Sequence, residues 1–232
     1  MGTISTNIMN SKSIKLMYLL GNMFLLTGCI GEDIISDFVE PQIIIENPIV
    51  NLKVGDMYQL NAILLDDTGK PTSGEVFWNS SDEEIMTVSE NGLLEGISEG
   101  VVTITANSDQ IQSSIEIMVS LEETVEMNQR IAEVRTTSSY PLSGTAVLHI
   151  ESGNSRLELL EDFQTTSALP GLYIYLTNNP NTIDNALELG PVVDFSGAQS
   201  YAVSAEVELF TYNYVLFYCK PFVVKVGDGE LK

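Results

Sequence analysis

Histidine, cysteine, tryptophan and positive charge are all scarce in this chain of 232 residues. His149 is the one histidine, which rules out a histidine-rich metal site. A Ser-His-acid triad would have to use that same residue. It stands between Leu148 and Ile150 in a strand pattern and does not present itself as an exposed base. Two cysteines, Cys29 and Cys219, are too few for a disulfide scaffold, so the fold must rest on apolar burial. Basic residues number 10 against 32 acidic ones, a net charge of −22. A surface this acidic repels phosphate backbones, which argues against a nucleic-acid partner. There is no Gly-rich phosphate-binding loop and no nucleotide motif. Asp66-Asp67 and Asp82-Glu83-Glu84 lack the spacing of a calcium loop and read as solvated acid runs. No metal site and no catalytic residue is assigned, and the balance falls against an enzyme.

What is present begins at the N-terminus. Lys12 and Lys15 precede an apolar run, Leu16 to Leu25, of about ten residues, the length of a secretory h-region. It is too short for a permanent span, which needs roughly twenty apolar residues. Leu26-Thr27-Gly28-Cys29 closes it and resembles the lipobox of bacterial lipoproteins. The competing reading is an ordinary signal peptide whose cleavage site happens to end in cysteine. The lipobox implies that residues 1–28 are removed and that the Cys29 sulfur carries lipid. Membrane lipid is then a partner through acylated Cys29, and residues 29–41 form a tether. The processed chain keeps eight basic residues against 32 acidic ones, so attachment must come from the acyl chains. Two or three of them suffice for stable anchoring where one is marginal. Glu32-Asp33 faintly resembles a surface-export patch, and Ile30 is not the Asp of inner-membrane retention. The expected location is the bacterial cell envelope, at the outer membrane or cell surface.

Residues 42–120 alternate short Val-, Ile- and Thr-rich runs with turns at roughly ten-residue spacing, the mark of an all-β domain. Met57 to Ala62 reads as one strand with Met57, Leu60 and Ala62 facing inward. Ser81 to Glu84 has capping-box spacing and predicts a single helical turn. Asn91-Gly92 is the strongest hairpin signal. Val54-Gly55, Trp78-Asn79-Ser80-Ser81, Val88 to Leu93 and Gly100 to Ala106 together resemble the group-two bacterial immunoglobulin-like (Big) domain. That resemblance implies a β-sandwich without a catalytic site, with Trp78 packed between the sheets. Such domains serve as spacers or adhesive modules.

Residues 121–135 shift to polar composition without Gly or Pro and read as a linker, either a short helix or an extended connector. From 136 to 232 the β pattern returns, predicting a second β-sandwich or barrel-like domain. The chain is thus expected to be all-β, two β-sandwich-like domains in tandem behind a lipoprotein signal peptide. Ser143 to Ala146, Leu157-Glu158-Leu159, Pro170 to Leu176, Ser196 to Tyr201 and Tyr214 to Phe222 are similar to the DM-thirteen domain, an electron-transfer type. Pro170-Gly171 stands where that family commonly has Gly-Pro, and Gly229 where it often has Ala. The resemblance implies a redox role for Cys219, with haem as the cofactor such a role would use.

Read on its own, Cys219 shares a strand face with Val215 and Phe217, while Lys220 falls on the other. That setting describes a buried, inert thiol. Six tyrosines, at 173, 175, 201, 212, 214 and 218, offer sheet-face cover or a ligand surface. Two functions follow. The first is a surface-anchored, non-enzymatic lipoprotein that presents a binding or adhesive β domain, for a surface glycan or protein, on an immunoglobulin-like spacer. The second is a cell-envelope redox or electron-transfer component acting through Cys219.

Overall fold

The computed structural model describes Gly2 and residues 37–232. The signal segment, Cys29 and the start of the tether lie outside the described residues. Residues 37–232 form one compact unit built from strands.

The first domain holds ten strands: β1 (Gln42–Ile45), β2 (Ile49–Lys53), β3 (Met57–Gln59), β4 (Ala62–Leu65), β5 (Pro71–Thr72), β6 (Phe77–Ser80), β7 (Met86–Val88), β8 (Leu93–Gly96), β9 (Gly100–Ser108) and β10 (Ile111–Ser120). Pro48 cannot donate to a ladder, and the chain changes sheets there. β1 pairs antiparallel with β4, whereas β2 pairs in parallel with the end of β10. The Met57–Ala62 run is likewise two strands, a correction to the single strand expected. β3 pairs with β8, and the chain then crosses at Leu60, whose N–H donates to Gly92, before β4 joins β1. Met57 is therefore 62% exposed, while Leu60 is buried. The expected helical turn forms at Asp82–Met86, with the Met86 N–H donating to the Asp82 carbonyl. Asn91-Gly92 closes the β7–β8 hairpin. The Gly92 N–H donates to the Ser89 carbonyl, and Gly92 takes φ +85°, which suits a turn followed by a left-handed residue.

Leu52, Leu60, Met86, Leu94, Ile104 and Ile117 are fully buried between these sheets. Trp78, opposite Ala106 on β9, packs half-buried at the margin of this core rather than at its centre.

The expected linker is partly strand. β11 (Val125–Glu126) pairs with β2 of the first domain, and β12 (Gln129–Thr136) enters the sheet of the second. Arg130, Ala132 and Val134 alternate inward along β12. Charged neighbours at Glu133 and Arg135 mask that period in the composition.

The second domain adds β13 (Leu142–Glu151), β14 (Asn154–Leu159), β15 (Gln164–Thr165), β16 (Leu172–Thr177), β17 (Leu187–Pro191), β18 (Gln199–Ala202), β19 (Tyr214–Cys219) and β20 (Val224–Glu230). With β12 they make a nine-stranded antiparallel sheet in the order β17-β16-β19-β20-β12-β13-β14-β18, with β15 on β13. The sheet folds over one core, and its two edge strands meet through side chains. Tyr201 on β18 donates its hydroxyl to the Pro191 carbonyl at 3.1 Å. The N–H groups of Val193 and Asp194 donate to Gln199 Oε1. Phe163 and Phe217 stack at the centre with ring centroids 5.7 Å apart.

Candidate functional site

Cys219 ends β19, opposite Leu172 on β16 and Val224 on β20. Val215, Phe217 and Cys219 are all fully buried in one core, as their alternation predicts. The Cys219 thiol donates to the Pro170 carbonyl at 3.4 Å. The chain passes over it at Gly171, which holds φ +81°. A Cβ there would lie 2.9 Å from Pro221 Cδ. Only glycine tolerates both demands. The Pro-Gly order at 170–171 thus caps the sulfur directly.

Lys220 points the other way. Its ammonium pairs with Glu188 at 2.6 Å and lies 4.2 Å from the centre of the Tyr173 ring. The hydrogen bond to Glu188 raises its pKa above the ordinary lysine value. The Tyr175 hydroxyl also donates to Glu188, and burial together with that carboxylate raises its pKa. No cation therefore faces the thiol from its own strand end. This environment does not fit a haem iron: a thiolate ligand needs an open face on the sulfur, and Cys219 is 0% exposed among packed side chains.

The tyrosines separate. Tyr201 is in the core, and burial pushes its pKa up to about 12. Tyr212 and Tyr214 stand where the two domains meet, half-buried. Tyr173 and Tyr218 pair across β16 and β19 on the side away from the core. The acid runs cap turns. Asp66 Oδ1 accepts from the Thr68 hydroxyl and then from the Lys70 and Thr68 N–H groups, which lowers its pKa, and Asp82 Oδ1 accepts from the Glu84 N–H. His149 lies between Gln129 and Arg156 across the sheet, on the opposite side from buried Leu148.

Arg130 is the residue the sequence reading missed. It is 6% exposed. Its guanidinium donates to the carbonyls of Tyr212 (2.6 Å), Leu231 (2.7 Å) and Leu209 (3.4 Å) and to Asn213 Oδ1 (3.1 Å). It also lies 4.8 Å from the Phe210 ring centre. Burial lowers its pKa to about 10, and Glu230 partly opposes that fall. The only signal in sequence is its place in the Arg130-Ala132-Val134 alternation.

The domains meet through amides. Asn179 Nδ2 donates to the Asp37 and Thr68 carbonyls, Asn181 donates to Phe38, and Asn213 donates to Gln42 Oε1 at 2.8 Å. Two clefts flank this joint. One, about 640 Å³, runs beside Arg130, Phe210 and Gln42. The other, about 380 Å³, lies between the Thr68–Pro71 loop and Asn178, Asp184, Asn185 and Tyr212. Cys219 lines neither.

These features define an all-β protein of two domains, an immunoglobulin-like sandwich followed by a curled antiparallel sheet around a sealed thiol. Residues 40–119 match the bacterial Ig-like domain (group 2) family, and residues 133–231 match the Electron transfer DM13 family. The two matches stand in tandem along the chain. A 3-O-alpha-D-galactosyl-alpha-L-arabinofuranosidase of Bifidobacterium longum subsp. longum is 42% identical over 73 residues. That stretch is 30% of this chain and only 6% of the enzyme. Domains 5-6 of the S-layer protein SbsC overlay 80% of this chain and 97% of theirs, with 14% identity and a TM-score of 0.30. Human protocadherin-24 EC1-2 overlays 78% and 84%, with 12% identity and a TM-score of 0.27. Overlaps this weak carry no argument about function.

Proposed function

We propose that this protein is a lipid-anchored component of the bacterial cell envelope. It uses the immunoglobulin-like domain as a spacer to present the DM13 domain as a non-enzymatic binding module for a surface glycan or protein. Acylated Cys29 supplies the anchor at the outer membrane or cell surface. The observation that carries the binding reading is Cys219. The thiol on which electron transfer would turn is fully buried and donates to the Pro170 carbonyl. The amide-rich joint supports the spacer role, because it fixes one domain on the other through several hydrogen bonds.

The second reading, electron transfer through Cys219, draws on the description of the DM13 family. Haem titration separates the two readings. Binding predicts no Soret shift that depends on Cys219, and a shift abolished by Cys219→Ala supports electron transfer. The anchor is tested apart from both. Cys29→Ser should move the protein from the membrane fraction to the soluble one, and retention in the membrane would overturn it.

A further inference from the structure

We propose that the smaller joint cleft is the ligand site and that it takes the end of a neutral, hydroxyl-rich glycan. This rests on the binding-module reading and names its ligand class. The cleft, about 380 Å³, is at the small end of the roughly 300–1,000 Å³ range of small-molecule sites. That volume suits a short sugar terminus rather than a long chain.

Its walls come from both domains, and the groups that form its frame differ from the groups available to a ligand. Asn178 and Asn179 are the frame. The Asn178 amide donates to the Thr211 carbonyl and accepts from the Asn213 N–H. Asn179 is 2% exposed and bonded to main chain of the first domain. A Cβ at Gly69 would come 2.9 Å from the Asn178 carbonyl carbon, so the loop lies directly against this frame.

Around that frame stand polar groups that the fold does not use. Among the described residues, the Lys70 ammonium makes no ion pair, and the Asp184 carboxylate, Asn185 amide and Tyr212 hydroxyl make no hydrogen bond. Asn185 holds a left-handed backbone, φ +61°, at the lip. The lining carries one cation and one anion, Lys70 and Asp184. An anionic ligand would meet Asp184, and a cationic one would meet Lys70. A neutral ligand with many hydroxyls can instead use every donor and acceptor present. The aliphatic face of a sugar ring has Ile63 and the Tyr212 ring to cover it. In the larger cleft Glu230 and Lys232 pair with each other, and the terminal nitrogens of Arg130 are held by the protein's own carbonyls and Asn213, while its buried Nε has no partner.

The test uses the full-length protein in detergent and an array of neutral oligosaccharides ending in galactose, glucose, mannose or arabinose, followed by calorimetric titration of the tightest binder. Asn185→Ala and Lys70→Ala should each weaken binding by about tenfold, the loss of one hydrogen bond to a ligand. Phe222→Ser, in the turn after β19 and outside the cleft, should leave affinity within about twofold. Melting curves of all three variants check that they fold. Binding of neutral glycans that Asn185→Ala and Lys70→Ala leave untouched overturns the site and leaves the binding-module reading standing. Binding of nothing on the array overturns the ligand class.

Discussion

The Arg130 guanidinium donates to the Tyr212 carbonyl at 2.6 Å, and through that bond the first strand of the second domain holds the segment that bounds both joint clefts. Four acceptors depend on this one side chain, none of them a carboxylate. Arg130→Ala should therefore cost about 3 kcal/mol in urea unfolding, because it strands buried acceptors. Arg130→Lys should recover less than half of that, since one ammonium cannot replace a planar fork.

Asn179→Ala should act on the joint rather than on either core. The side chain is buried and bonds to Asp37 and Thr68 across it. A loss of about 2 kcal/mol is expected. Calorimetry should show the single transition broadening or splitting as the domains lose their coupling.

Gly92→Ala tests the hairpin against the tryptophan. A Cβ at Gly92, where φ is +85°, would lie 2.7 Å from the Leu60 carbonyl and 3.0 Å from Trp78 Nε1. Destabilisation of about 2 kcal/mol is expected from backbone strain together with the clash. A shift in the emission of Trp78, the sole tryptophan, should accompany it.

Alkaline pH should unfold the protein through its tyrosines. An unfolded tyrosine ionises near pH 10, whereas Tyr201 does so only near about 12 in the fold, chiefly because it is buried. Its contribution is complete below pH 10 and is lost as pH rises from there to about 12. At most about 3 kcal/mol is involved. Tyr212, Tyr214 and Tyr218 shift in the same direction, again with burial first. Tyr201→Phe should lose less stability between pH 10 and 12 than the wild type, as read from denaturant midpoints at each pH.

Most strands were legible because the period-2 pattern was clean. Val101 to Ala106 runs in strand where alternation places it, and Tyr214 to Cys219 does so although Leu216, on the opposite face, is as buried as Val215 and Phe217. The buried face of Cys219 was legible for the same reason. Pattern and structure part where tertiary pairing overrides the local sequence. Met57–Ala62 looked like one strand, but its two halves have different partners. Arg130 escaped notice because a buried arginine looks, in composition, like an exposed one. The joint could not be read at all. Asn178, Asn179 and Gln42 are ordinary turn and edge residues until the fold brings residues some 140 to 170 positions apart into contact.

The proposed binding role turns on Cys219 being sealed within the second domain. Thiol labelling of the folded protein tests it most directly. In native buffer Cys219 should resist a disulfide reagent and react only when denaturant opens the sheet, in step with global unfolding. Stoichiometric labelling within seconds in native buffer would contradict it.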